Sequence, residues 1–208
     1  MSNSVKLAVV YYSSTGTGTA IAAEIAAAAG AAGAEVRVRK AAELAPRAAI
    51  DANPLWAAHH TATADVPPPS HDDISWADAI VFGSPTRFGN MAAQLKQFLD
   101  TLSPLWQKNE LADKVYSAFT STGTRHGGHE STLLAIYNSI YHFGGIIVPP
   151  GYTDPVKFVD GNPYGTSHHA VWGDALGSID DDTRNAARHQ AQRVIRVART
   201  TRGLKQAG

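Results

Sequence analysis

The stretch VVYYSSTGTGTAIAAEIA, Val9–Ala26, runs from apolar residues through the small uncharged segment Ser13–Thr19 into an alanine-rich segment. An apolar run followed by a glycine break and an alanine run reads as a strand turning into a helix. At such a corner backbone N–H groups point outward and the helix dipole stands behind them, which favours an anion. Glycine lets the backbone come close, and serine and threonine add neutral donors. The segment therefore reads as a phosphate cradle built without lysine. A triphosphate-binding P-loop needs a lysine after its second glycine, and none follows here. The dinucleotide fingerprint needs a third glycine at position 21, which holds Ile21. A monophosphate gripped by neutral donors survives, beside the simpler reading of a hydroxyl-rich helix cap with no ligand.

Outward from this corner, apolar runs alternate with helical patterns. Strands are expected at 5–12, 35–39, 79–84, 114–120 and 146–148. Helices are expected at 20–32, 91–102, 129–143 and 180–202. The last begins with Asp180–Asp182 and carries its arginines later, the polarity a helix dipole prefers. Repeated strand–helix alternation implies a parallel sheet covered on both faces, with its ligand crevice at the carboxyl ends of the strands. Two regions break the rhythm. Residues 45–75 hold Pro46, Pro54 and Pro67–Pro69 and suggest a short helix near 51–60 followed by extended chain. Residues 149–179 read as irregular. No domain boundary is visible, so 1–208 is expected to form one domain with these two excursions.

Composition narrows the function. The chain has 208 residues, 44% hydrophobic and 17% charged, with 18 basic and 18 acidic side chains. A formal charge of zero argues against nucleic acid as a partner. The chain contains no cysteine, which excludes disulfides, thiolate catalysis and iron–sulfur ligation and fits a reducing compartment, so a cytoplasmic location is expected. No apolar stretch approaches the ~20 residues needed to span a bilayer. The N-terminus reads as a first strand and not as a signal peptide. Histidines are frequent, but their spacing gives no zinc-like cluster, and no metal is expected.

Two further loops follow strands at the same edge of the sheet: GSPTRFGNM, Gly83–Met91, and TSTGTRHGGHE, Thr120–Glu130. Three hydroxyl- and glycine-rich loops side by side suit a flat ring with a phosphate tail. YYSSTGTGT resembles the flavodoxin phosphate loop, with Gly18 where a threonine is usual. GSPTRFGNM closely matches the corresponding segment of the WrbA-type NAD(P)H:quinone oxidoreductases, and VPPGY and NPYG also look like that family. The matching order runs from about residue 5 to about residue 200.

The resemblance implies an α/β fold, a flavodoxin-like doubly wound five-stranded parallel sheet of order 2-1-3-4-5 with helices on both faces. It implies non-covalent FMN, with Ser13, Ser14, Thr15, Gly16, Thr17 and Gly18 at the phosphate. Pro85, Thr86, Arg87, Phe88, Gly89 and Asn90 would lie beside the ring, as would Ser121, Thr122, Gly123, Thr124, Arg125 and His126. His142 matches a histidine that the family brings to the flavin from a neighbouring subunit, and it is the candidate proton donor to the quinone. Trp106 matches an aromatic on the substrate side. Thr15 stands where many relatives carry a tyrosine lining the nicotinamide pocket, and Arg125 and His126 stand in place of glycines. The implied reaction is two-electron reduction of a quinone by NADH or NADPH, ping-pong, with hydride passing through flavin N5. The implied assembly is a homotetramer, for which Trp56, Tyr164 and Trp172 are candidate anchors. The competing reading is a flavodoxin-like electron carrier or regulatory FMN-binding protein, though a carrier usually bears a strongly acidic face. A hydrolase on the same sheet would need a Gly-x-Ser-x-Gly elbow, which is absent.

Overall fold

The computed structural model describes residues 4–170 and 177–206. Trp172 lies outside them. The sheet is built from β1 (Lys6–Tyr11), β2 (Glu35–Lys40), β3 (Ala79–Arg87), β5 (Val115–Thr122) and β6 (Ile146–Ile147), all parallel, in the order β2-β1-β3-β5-β6. That is the expected order once the expected strands are counted along the chain. A two-residue strand β4 (Asn90–Met91) folds back antiparallel on the end of β3, and β7 (Thr166–His169) pairs with β5 beyond β6.

Both sheet faces are dry because the strands alternate apolar residues to either side. Leu7, Val9 and Tyr11 of β1 face one layer with Val81 and Phe119, under α1 (Thr17–Ala31) and α9 (Asp181–Thr201). Ala8 and Val10 face the other layer with Phe82 and Tyr116, under α5 (Ala93–Asp100), α6 (Ser103–Gln107) and α7 (His129–Phe143). Helix α9 opens as its sequence suggested: Asp180 caps it, its carboxylate accepting from the Thr183 N–H at 2.7 Å.

The region 45–75 holds more helix than expected. Chain order there is α2 (Arg47–Asp51), α3 (Pro54–Ala62) and α4 (His71–Trp76). Asn53 caps α3 through the N–H groups of Leu55 and Trp56, and Ser70 with Asp73 forms a reciprocal capping box on α4. The buried Lys114 ammonium donates to the carbonyls of Ile74, Ser75 and Ala77, closing the other end of α4.

The fifth strand position is also richer than the irregular stretch expected after residue 148. The chain leaves the sheet at Pro149–Pro150, since proline cannot supply a ladder N–H. It forms the short helix α8 (Val156–Asp160) and returns as β7. The buried Gln190 of α9 closes the gap: its amide donates to Ser117 Oγ and the Ala118 carbonyl and accepts from the Thr166 N–H. The sequence TSHH of β7 lacks the apolar alternation that identifies a strand, so only its pairing with Phe119–Thr122 reveals it. Among the described residues no helix is long and apolar enough to cross a membrane.

Candidate cofactor site

The loops after β1, β3 and β5 open at the carboxyl ends of three adjacent strands. In the first, Gly16 caps α1 at φ 105°, a left-handed conformation suited to glycine, and no side chain caps the helix. The N–H groups at its start are thus left without a side-chain acceptor, and the half-buried Ser14, Thr15 and Thr17 stand around them. The buried Ser13 shapes the loop from inside by accepting the Gly16 N–H at 3.1 Å. A Cβ on Gly18 would sit 3.1 Å from the Tyr12 carbonyl oxygen and 3.2 Å from Ser13 Cβ. That crowding explains glycine where the flavodoxin pattern has threonine. Uncharged donors on an uncapped, dipole-facing corner fit a phosphomonoester.

The second loop is a two-residue hairpin. Phe88 and Gly89 both have positive φ, 52° and 80°, as the tight turn between Arg87 and Asn90 demands. Phenylalanine is poorly suited to that region, and its side chain is fully exposed, at 103%. An apolar ring held out of a strained turn has no packing reason within the chain. Arg87 is also exposed, its guanidinium donating to the Thr86 carbonyl. The Thr86 hydroxyl is turned inward: it donates to the Gly127 carbonyl and accepts from Thr132 and the Gly89 N–H. It therefore ties the second loop to the third. Pro85 is half-buried at the strand end.

In the third loop Ser121 and Thr122 are buried, while Gly123, Thr124, Arg125 and His126 are exposed. Thr122 Oγ1 donates to the Thr124 carbonyl at 2.6 Å and so accepts from His129 Nε2 at 2.8 Å. That nitrogen also reaches the His168 carbonyl on β7 at 3.1 Å. Both partners are acceptors, so His129 carries its proton on Nε2. The split strand thereby supports this loop, and His129 and His168 serve as scaffold.

His142 and Trp106 lie elsewhere. Helix α7 starts beside the third loop and runs to the amino edge of the sheet, so His142, thirteen residues after His129, is ~20 Å along it. Trp106 joins it there: its indole donates to the His142 carbonyl at 2.9 Å, and both side chains are exposed. The structure brings these two together but not to the loops of their own chain.

Sequence reasoning missed Glu43, which stands just after β2. One oxygen accepts from the N–H groups of Leu44 and Ala45 and the Gln94 amide, the other from the Tyr12 hydroxyl and the Trp56 indole. Burial pulls this carboxyl up, but its donors outweigh that and hold it below the usual carboxylate range. Tyr12 moves the other way, raised by burial and then by Glu43. Trp56 is consequently turned inward and half-buried, not left free as an interface anchor, because Glu43 holds its indole. Tyr164 is exposed.

Comparison with known proteins agrees with this architecture. Residues 5–153 match the model of the NADPH-dependent FMN reductase family. The chain belongs to that family. A protein named NAD(P)H dehydrogenase (quinone) from Deinococcus radiodurans is 46% identical over 198 residues, covering 95% of this chain and 97% of its own. A protein of the same name from Sinorhizobium fredii is 36% identical, covering 93% and 96%. Among solved structures, a flavodoxin, WrbA-like protein from Agrobacterium tumefaciens superposes with a TM-score of 0.68 at 23% identity, covering 95% of this chain and 99% of that one. An archaeal flavodoxin superposes with a TM-score of 0.59 at 18% identity, covering 93% and 99%. These two likenesses show the fold.

Proposed function

We propose that this chain is an FMN-dependent NAD(P)H:quinone oxidoreductase working by a ping-pong cycle. The reading is carried by one arrangement: an uncapped, hydroxyl-lined helix start beside two loops that share hydrogen bonds, all at one edge of a parallel sheet. The family and the names of its members support it. When bound, FMN would supply two-electron acceptance of a hydride at N5 and its delivery to a quinone.

Ser14, Thr15, Gly16, Thr17 and Gly18 would hold the phosphate, on a loop that Ser13 shapes from inside. Pro85–Asn90 and Ser121–His126 flank the ring, and Arg87 places a positive charge at that edge. Thr86 and His129 keep the two ring loops in register. A single site beside the ring would have to serve nicotinamide and quinone in turn, hence the ping-pong cycle. Thr15, half-buried in the first loop, would offer that side no aromatic surface such as a tyrosine gives.

His142 and Trp106, at the opposite edge, reach a flavin only from a second copy. Tyr141 and Trp106 expose large apolar surface near that end, which supports a homotetramer with sites between subunits. In that setting the His142 imidazole would hold a proton for the quinone oxygen.

Purified protein is expected to bind FMN with a visible flavin spectrum, to be bleached by NADH or NADPH, and to recover on adding benzoquinone, with parallel double-reciprocal lines. Bleaching without catalytic turnover would favour the electron-carrier reading, and no flavin uptake would remove both.

Phe88 gives a sharper test. Phe88→Gly relaxes the turn and should raise the unfolding free energy of the flavin-free protein by about 1 kcal/mol. The same variant should lower kcat/KM for quinone about tenfold if the exposed ring contacts flavin or substrate. Urea midpoints and steady-state rates read the two effects. Unchanged kcat/KM would return Phe88 to ordinary surface.

A further inference from the structure

Helix α3 belongs to the excursion that the minimal strand–helix alternation does not require, yet it is anchored at three points to the carboxyl edge near the first loop. Trp56 donates its indole N–H to Glu43. Three residues on, and so on the same helix face, His59 Nε2 meets Thr19 Oγ1 at 2.7 Å. Thr63 Oγ1 donates to the His59 carbonyl and accepts from the Lys40 ammonium at 2.7 Å. Thr19 is the third residue of α1, in its first turn and directly after the proposed phosphate cradle.

His59 is 3% exposed, and its ring is hydrogen-bonded to Thr19 and lies against the Ser14 backbone. A buried imidazole carries a desolvation cost that packing alone does not ask for. What it gains is the bond to Thr19. Burial first, then the Lys40 and His60 charges, lower its pKa to about 4, against a rise from the Ser14 backbone. The ring is therefore neutral at neutral pH, and its effect on an anion is positional, not coulombic. The Thr19 hydroxyl, which the sequence suggested as part of the cradle, is directed instead toward His59 and the buried Tyr11 phenol. Ser14, whose backbone lies against the same ring, is in the loop itself.

We propose that His59 is a positioning residue for the cofactor phosphate: through Thr19 and the Ser14 backbone it holds the β1–α1 corner in the shape that receives a phosphomonoester, so that the site prefers FMN over riboflavin. The inference rests on the FMN reading above and assigns the excursion a role in cofactor discrimination.

The test compares FMN with riboflavin by fluorescence titration of the flavin-free protein. His59→Leu keeps bulk and removes both nitrogens. It is expected to weaken FMN about tenfold, the worth of one buried hydrogen bond, while riboflavin changes less than about twofold because it lacks the group being positioned. Thr19→Val, similar in shape without the hydroxyl, should do the same. The double variant should lose little beyond either single one, since both cut one link. His59→Gln, whose terminal amide can reach Thr19, should recover most of the lost FMN preference. Equal loss for FMN and riboflavin would overturn the proposal, because it would mark a general packing defect. Unchanged FMN affinity in His59→Leu and Thr19→Val would overturn it as well. Should His59→Leu not fold, Thr19→Val decides the same ratio. Wild-type protein that binds neither flavin would instead remove the FMN reading itself.

Discussion

Thr17→Asp is expected to expel the flavin while leaving the empty protein at least as stable as before. Thr17 is the first residue of α1, where no side chain caps the helix. An acidic residue in the first turn complements the dipole and should stabilise the flavin-free fold by about 0.5 kcal/mol. The same carboxylate would stand ~5 Å from a phosphate carrying close to two negative charges. At an effective dielectric between protein surface and water, that repulsion is about 3 kcal/mol, on the order of a hundredfold in affinity. Titration calorimetry with FMN reads the affinity, and urea unfolding of the flavin-free protein reads the stability. The opposite signs are the useful feature, since a helix cap without a ligand would show only the gain in stability. A dissociation constant within threefold of wild type would remove the phosphate from this corner.

Gly165→Ala is expected to cost about 3 kcal/mol. A Cβ there would lie 2.3 Å from the Ala118 carbonyl oxygen and 2.9 Å from the Leu133 side chain. The first obstacle is strand backbone and cannot rotate away. Thr166, the next residue, opens β7 and pairs with Phe119. The displaced strand would carry with it the His168 carbonyl that supports His129 and the third loop. For a chain of this length the melting temperature should fall by roughly 6–12 °C. Gly30→Ala is the control. Nothing lies within 4 Å of its added methyl, so it should gain about 0.5–1 kcal/mol from helix propensity. If both variants melted alike, β7 would not lie against β5 as described.

The candidate loops were legible because their chemistry is local. Glycine at positive φ, hydroxyls at a helix start and the Arg87–Asn90 turn announce themselves within a few residues. His142 and Trp106 were legible only as a resemblance. The separation of their edge from the loops follows from the direction of α7, which periodicity suggests but does not measure. Glu43, His59 and His129 were illegible as scaffold. A carboxylate that gathers Tyr12, Trp56 and Gln94 has no signature along the chain, since its partners lie 31, 13 and 51 residues away. His59 and His129 fell at the end and the start of expected helices, and nothing along the chain named their partners.

By itself, the sequence determined the alternation of strands and helices and the three loops at the carboxyl edge, because side-chain period and turn chemistry act over short distances; the sheet order came from the family resemblance. Only the tertiary structure decided that the excursion at 45–75 presses on the first loop and that the fifth strand is interrupted and rejoined. It also decided which hydroxyls face inward. Those outcomes depend on buried polar groups finding partners far along the chain, and satisfying a buried donor or acceptor is a property of the packed molecule, not of any segment.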